Sequence, residues 1–240
     1  MLHRPGIQAV FVDTPGLHKP RSALGERLNE HVGSALSDVD LVIVVLDATA
    51  RVGPGDRRVL GAALQERDPG QVLVVVNKID VASRASVVER LLQASEAAGS
   101  SEIFPVSAVT GKGVDPLVSA VTAMLPEGPE YFPEGTLSDV AESVWVAEMV
   151  REALLAHVDD ELPHSIACRV TDWDWPHIRV EILVERDSQK GIVIGAGGSL
   201  LKEVGTTVRK ALPEGAFLEL RVSVEPRWQF RRDAIERLGY

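Results

Sequence analysis

Val72-Leu73-Val74-Val75-Val76-Asn77-Lys78-Ile79-Asp80 is the stretch on which the reading of this chain turns. Its apolar run, rich in β-branched residues, suits a strand buried on both faces of a parallel sheet, and the polar residues begin where the strand ends. In an open α/β sheet that end is where ligands bind. The Asp80 carboxylate can accept from both N1–H and N2–H₂ of guanine, Asn77 can bond the base edge, and the Lys78 stem can lie across the ring, with Ile79 between them. Adenine offers no such donor pair. A site built around that pattern can reject the wrong base by about 10⁴-fold, because its buried polar groups would otherwise go unpaired. The plain alternative is a helix cap after a strand, which leaves the neighbouring motifs unexplained.

Those motifs lie on either side. Residues 7–12 and 41–46 are two more nearly continuous apolar runs, ending at Asp13 and Asp47. Between the runs, Leu24, Leu28, Val32 and Leu36 recur at helical spacing, and a later helix is expected over 114–125. The predicted order is βαβαβ. Asp13-Thr14-Pro15-Gly16 follows the first strand. Its carboxylate can hold a Mg²⁺ water, and the Gly16 N–H can face a γ-phosphate and move when that phosphate leaves. In isolation the same four residues read as an Asx-type turn. Ser107-Ala108, after the short apolar run 103–106, adds a base-contacting loop.

One motif is missing. No Gly-x-x-x-x-Gly-Lys-Ser/Thr occurs, the loop whose N–H groups cradle α- and β-phosphates and whose hydroxyl holds Mg²⁺. Gly111-Lys112 cannot stand in for it, since Val106 occupies the first glycine position and Gly113 the hydroxyl position.

Residues 126–135 are dense in proline and glycine and read as a linker. Beyond them a helix is expected over 138–158, a strand over 165–171, and an alternating strand with Ile178, Val180, Ile182 and Val184 on one face. A glycine-rich turn, a helix carrying Leu200, Leu201, Val204 and Val208, and a strand with Leu218, Leu220, Val222 and Val224 complete an α-β-β-α-α-β order. Gly195-Ala196-Gly197-Gly198 fits a KH-type Gly-x-x-Gly loop, which clamps about four nucleotides by close backbone approach. A dinucleotide fingerprint is excluded, because its third glycine would fall on Leu200. A simple turn between helices is the alternative. Lys190, Lys202, Arg209 and Lys210 could face phosphates, although each also reads as an ordinary solvated side chain.

Composition narrows the classes. The chain has 240 residues, 45% of them apolar, which is ample for packed cores. Its net charge of -10 excludes nucleic-acid binding by bulk charge and leaves room only for a local basic face. A single cysteine, Cys168, rules out an internal disulfide and is expected to be a buried structural thiol. The apolar runs 41–46 and 72–76 are far too short to span a bilayer.

Taken together, Asp13-Thr14-Pro15-Gly16-Leu17-His18, Asn77-Lys78-Ile79-Asp80, Glu161-Leu162-Pro163, Val184-Glu185-Arg186, Gln189-Lys190-Gly191-Ile192-Val193-Ile194-Gly195 and the terminal Arg237-Leu238-Gly239-Tyr240 resemble the bacterial Era family of GTPases. The resemblance covers essentially the whole chain. It implies an α/β, incomplete Ras-like G domain of the P-loop NTPase class with a mostly parallel sheet over 1–126, a linker over 127–137, and an α+β type II KH domain with a C-terminal tail over 138–240. It implies GTP/GDP with Mg²⁺ as ligands. Asp13, Thr14, Pro15, Gly16, Leu17, Asn77, Lys78, Ile79, Asp80, Ser107 and Ala108 would bind the nucleotide, with Asp13 holding the metal through water. Lys190, Ile194, Gly195, Ala196, Gly197, Gly198 and Lys202 would bind RNA. The implied partners are the 3′ end of small-subunit rRNA and the small ribosomal subunit, with peripheral association at the inner face of the cell membrane and no DNA. The implied place is the cytoplasm.

Three departures qualify those expectations. In the family a strand leading into the phosphate loop lies between the strands ending at Asp13 and Asp47, so its loss would open a gap in the sheet, and Met1 is expected to be an internal methionine of a longer protein. Leu17 occupies the place after Asp-x-x-Gly where Ras has its water-orienting glutamine, and no catalytic residue is assigned. Ala196-Gly197 occupies the loop tip where many KH loops carry a basic residue. The expected function is a GTP-dependent, rRNA-binding assembly factor whose chain, as it stands, is inactive in hydrolysis; the alternative is a non-enzymatic RNA-binding protein with a degenerate G domain. Relatives with two G domains and a KH-like fold are disfavoured by the single guanine motif.

Overall fold

A computed structural model describes residues 1–14, 20, 22–99, 101–136, 138–158, 162 and 165–239. The chain divides into two compact units, Met1–Arg21 with Gly25–Leu137 and Ser22–Leu24 with Ser138–Tyr240.

In the first unit, β1 (Leu2–Arg4) and β2 (Ile7–Ala9) form an antiparallel hairpin. There follow α1 (Ala23–Asp38), β3 (Val42–Asp47), α2 (Pro54–Glu66), β4 (Val72–Asn77), α3 (Arg84–Ala98), β5 (Glu102–Pro105) and α4 (Val114–Met124). Strands β3, β4 and β5 make one parallel sheet in that order. The central strand β4 is buried from Val72 through Val76, as its unbroken apolar run requires. Leu60 and Ala63 of α2 and Ala94 and Ala98 of α3 pack into the same core as Val42, Val44 and Leu46. Each fully buried valine or leucine there contributes about 1.5–3 kcal/mol. The helices begin where local chemistry allows. Pro54 opens α2, with the Gly53 N–H donating to Asp56 Oδ2 at 2.8 Å, and Ser83 caps α3 by accepting from the Ser86 N–H.

The strand expected over 7–12 is corrected. It stops at Ala9, it pairs antiparallel with β1, and the hairpin forms a sheet separate from β3–β4–β5. Val10, Phe11 and Val12 are left 40%, 55% and 58% exposed, and Val45 on β3 is 61% exposed. A run suited to burial on both faces needs hydrogen-bonding neighbours along its edges as well as cover. Residues 10–12 find no strand partner among the described residues. The division falls between β2 and β3, where the family resemblance sets the strand of the phosphate loop.

Residues read as linker are held to the hairpin. The Gln8 Nε2 donates to the Phe132 carbonyl at 2.8 Å, its Oε1 accepts from the N–H groups of Tyr131 and Phe132, and the His3 ring bonds the Thr136 carbonyl.

The second unit runs α5 (Glu142–Leu155), β6 (Ala167–Asp174), β7 (His177–Val184), α6 (Asp187–Ile194), α7 (Ser199–Ala211), β8 (Phe217–Val224) and α8 (Arg232–Arg237). Strand β7 is central, antiparallel to β6 and parallel to β8. Its alternating Ile178, Val180, Ile182 and Val184 face the core with Val146, Val150 and Leu154 of α5 and Val204 and Val208 of α7. The helix expected over 138–158 is shorter, and β6 runs on to Asp174 instead of ending at residue 171. Helix α8 and a 3₁₀ turn at Trp228–Phe230 were not foreseen. They depend on distant anchors, chiefly the buried Trp228 indole N–H donating to the Ser165 carbonyl at 3.0 Å. On the sheet's other face, Glu181 accepts from Arg169 and Ser223. Burial pushes its carboxyl up, but those two bonds outweigh it and hold the group below the usual range. Cys168 is buried, and burial pushes its thiol far up. No described helix is long and apolar enough to cross a membrane.

Among the described glycines of the first unit, Gly113 is the one whose backbone most excludes a side chain. It holds φ +79°, and a Cβ there would lie 2.1 Å from the Pro105 carbonyl oxygen, a backbone atom that cannot swing aside. Gly113→Ala is expected to destabilise this unit by about 2–4 kcal/mol. Trp145, Trp173, Trp175 and Trp228 all belong to the second unit. Thermal unfolding of the whole chain should therefore show a lowered far-ultraviolet dichroism transition with an unmoved tryptophan-fluorescence transition; an equal shift in both would contradict this assignment of strain.

Candidate guanine-nucleotide and RNA-binding sites

The parallel pairing sets Asp47 opposite Asn77 and Val76 opposite Pro105, so the chemistry of three strands meets at one sheet edge. Asn77 Oδ1 accepts from the Lys78 N–H at 2.8 Å and from the Ala108 N–H at 3.0 Å. One side-chain carbonyl thus joins the two loops expected to read a base. The Ile79 N–H donates to the Val106 carbonyl, closing the same pair of loops through the backbone. With its oxygen occupied, the Asn77 amide presents its N–H₂ donors, which suit guanine O6 or N7.

Ser107 is fully buried, and its Oγ accepts from the Thr110 N–H while its own N–H donates to the Lys112 carbonyl. It shapes the loop that Ala108 closes. Asp80 is exposed and makes no hydrogen bond among the described residues, leaving both carboxylate oxygens for a ligand. Ile79 is half-buried and packs on the core of the first unit.

Lys78 holds φ +66°, an uncommon conformation for a residue with a side chain. Its Nζ donates to Asp47 Oδ2 at 2.7 Å. Sequence reasoning put Asp47 at a strand end but gave it no role. The signal was there: in adjacent parallel strands, an acid ending one and a lysine just beyond the other come within reach. Hydrogen bonds from Lys78 and Thr49 hold the Asp47 carboxyl down at about 2. The same contact raises the Lys78 ammonium.

Asp13 and Thr14 are exposed, and no hydrogen bond among the described residues ties them to the base-reading loops. Pro15, Gly16 and Leu17 lie outside the described residues. Asn77, Asp80 and the Ala108 backbone could therefore meet a guanine base, with the buried Ser107 shaping the loop beneath; no described group of three or more acidic, histidine or cysteine side chains gathers at Asp13, which suits a Mg²⁺ ion reached through water and nucleotide phosphates and not a closed carboxylate cage.

In the second unit, α6 ends at Ile194 and α7 begins at Ser199, with Gly195-Ala196-Gly197-Gly198 between them. The loop therefore lies at the N-terminal end of α7, where unpaired N–H groups and the helix dipole favour anions. Ala196 and Gly197 are exposed, Ile194 is half-buried against the core, Lys190 is half-buried and Lys202 exposed. Arg209 is turned back on its own helix, donating to the Gly205 carbonyl at 3.1 Å. The direction of α6 is set by Gln189, whose Oε1 accepts from the Glu185 and Arg186 N–H groups and whose Nε2 donates to Ser165 Oγ. Gln189, part of the stretch that carries the family resemblance, thereby aims the helix that delivers the loop.

The glycines are not interchangeable with other residues here. Gly195, Gly197 and Gly198 hold φ of +74°, +58° and +83°, and a Cβ on Gly195 would lie 2.8 Å from the Leu200 nitrogen. Substituting Gly195 or Gly198 therefore damages the fold as well as the surface, so neither isolates the RNA contact.

Two outcomes follow from this geometry. The Asp47 carboxylate favours the folded state above the ordinary aspartate value of 3.8, and that contribution fades as pH falls through about 2. Carbon-detected NMR of the Asp47 carboxyl should show a midpoint well below 3.8 that climbs towards it in Lys78→Met; an unmoved midpoint would mean the pair does not form in solution. In the loop, Ala196→Asp adds a charge at an exposed position without positive φ and should weaken single-stranded RNA binding by about tenfold or more at unchanged melting temperature. Gly195→Asp should lower both. Filter binding and melting of the two variants decide this, and undiminished RNA affinity in Ala196→Asp would make the loop a structural turn.

Comparison with known proteins agrees with both halves. Residues 4–127 match the family model described as the elongation factor Tu GTP binding domain, and residues 161–229 match the KH domain. The GTPase Era of Mycobacterium avium (strain 104) is 42% identical over 252 aligned positions, covering 100% of this chain and 84% of that protein. The GTPase Era of Mycobacterium tuberculosis (strain H37Rv) is 41% identical, with the same coverage. Among solved structures, Aquifex aeolicus Era Y63A bound to GDP·AlF4⁻ superposes with a TM-score of 0.86 at 32% identity, over 95% of this chain and 80% of that one. Era in complex with MgGDPNP and nucleotides 1506-1542 of 16S ribosomal RNA gives a TM-score of 0.86 at 31% identity, with the same coverage. A relative this similar along the entire chain, with a matching fold in both units, leaves one assignment: the chain belongs to the Era family of GTPases.

Proposed function

We propose that this chain is a GTP/GDP-binding assembly factor of the small ribosomal subunit that contacts small-subunit rRNA through its KH unit. The observation that carries the nucleotide half is the double acceptance at Asn77 Oδ1, which sets the Lys78 and Ala108 loops together beside an unengaged Asp80. Asp80 would take the guanine N1–H and N2–H₂, Asn77 the opposite edge, and Ala108 the rim of the base. Mg²⁺, when bound, neutralises charge on the β- and γ-phosphates. Asp13 would hold it through water, with Thr14, Pro15, Gly16 and Leu17 beside the γ-phosphate.

No residue of this chain is assigned to cradle the α- and β-phosphates, because no Gly-x-x-x-x-Gly-Lys-Ser/Thr occurs. Base reading without that cradle gives selectivity at low affinity and negligible turnover. The RNA half rests on the Gly195–Gly198 loop at the start of α7, with Ile194, Lys190 and Lys202 alongside, and on the likeness to an Era solved with 16S rRNA. Cytoplasmic location and peripheral contact with the inner membrane face belong to the same proposal and rest on family likeness alone. The interrupted sheet of the first unit favours a second reading, an RNA-binding protein whose G domain only docks.

Nucleotide titrations with Mg²⁺, alongside filter binding of an oligonucleotide from the 16S rRNA 3′ end, separate the two. Weak binding with guanine preferred over adenine, moved towards xanthine by Asp80→Asn, is the expected result, with hydrolysis at background and RNA retained. Equal affinity for guanine and adenine nucleotides would leave the docking reading. Loss of RNA binding in the folded chain would sink both.

A further inference from the structure

The second unit carries a cavity of about 450 Å³ whose walls are aromatic. Trp145 on α5 and Trp173 and Trp175 at the β6–β7 turn line it, and they remain 49%, 37% and 49% exposed. Val146 and Ile178 from the core form its floor, and Leu212 and Pro213, just past α7, close one side. Three half-exposed tryptophans in one place, out of four in the chain, are more apolar surface than a solvated face needs.

The cavity is separate from the RNA loop. It lies at the start of β7 and the end of α7, whereas the Gly195–Gly198 turn lies at the start of α7. The 13 residues of α7 put about 20 Å between the two.

Its charge selects the occupant. Glu142 is the one ionisable side chain in the lining, no lining residue is basic, and the exposed Glu214 is the sequence neighbour of the lining residue Pro213. A groove for nucleic acid needs cations along the backbone path. Indole faces beside a carboxylate, on a chain of net charge -10, suit a cation with a flat or greasy body. We propose that this tryptophan-walled cavity is a docking site for a cationic peptide segment of a partner protein, with an arginine or lysine side chain lying on the indoles and its charge directed to Glu142.

The probe is a fluorescent, end-capped penta-arginine peptide, with the penta-citrulline counterpart as its uncharged near-isostere, titrated against the full chain by anisotropy at physiological salt. The arginine peptide is expected to bind about tenfold tighter than citrulline, and Trp145→Ala to weaken it by about tenfold. Glu142→Gln should cost a few-fold, whereas Glu96→Gln, which removes an equal charge from the first unit, should cost nothing. Trp175→Ala repeats the test at the turn if Trp145→Ala does not fold. Equal affinities across wild type and all variants would reduce the effect to bulk attraction and overturn the proposal. So would citrulline binding as well as arginine, or no binding of either. Pentauridylate that binds more tightly than the arginine peptide, and is lost in Trp145→Ala, would make the cavity a base-stacking site instead.

Discussion

The sheet edge proposed to read the base hangs on one oxygen. Asn77 Oδ1 takes the N–H of its own neighbour and the N–H of Ala108 thirty-one positions away, and through them it holds two loops that share no other side-chain bond among the described residues. An aspartate at position 77 could accept both bonds, yet it would bring a charge and no donors to a base edge that offers acceptors. A leucine would fill the space and leave two N–H groups to find water. The fold thus demands an acceptor at this position, and the proposed ligand adds the demand for a donor on the same side chain. It also presupposes the parallel order β3–β4–β5, which alone brings Asp47, Asn77 and the chain after β5 to one edge.

The second unit solves a similar problem with another amide. Gln189 accepts from two consecutive N–H groups at the end of β7 and passes a hydrogen bond to Ser165 Oγ, whose carbonyl in turn accepts from Trp228. That relay fixes the start of α6 and so the place where Gly195 emerges. In both units a neutral side chain that can give and accept at once joins segments distant in sequence. A charged group would need a counter-charge to do the same in a partly buried position.

What could be read from the sequence, and what could not, follows from the range of each interaction. The apolar run 72–76 and the alternation at Ile178, Val180, Ile182 and Val184 state their burial locally, so the sheet cores and the α-β-β-α-α-β order were legible. Asn77 and Asp80 stood out because the chemistry proposed for them matches the donor and acceptor pattern of one base. The end of β2 at Ala9 was not, since whether residues 10–12 pair depends on a neighbouring strand and not on their own composition. The bonds of Gln8 to residues 131 and 132 were equally hidden, a long-range meeting of ordinary residues, whereas the Asp47–Lys78 contact becomes legible once β3 and β4 are taken as parallel neighbours. The positive φ at Gly195, Gly197 and Gly198 was only half-visible: glycine permits that conformation, but only the backbone path demands it.

The lone cysteine has a practical side. Cys168 sits inside the second unit with its thiol held protonated, so the thiolate that alkylating reagents require is scarce at neutral pH. The native chain is therefore expected to react slowly with maleimides at neutral pH. A cysteine placed at an exposed site of either unit would take a dye or spin label selectively, without first removing Cys168 from the core it helps to fill. Pairs of such labels would allow the separation of the two units to be followed by resonance energy transfer in solution, with and without nucleotide or RNA.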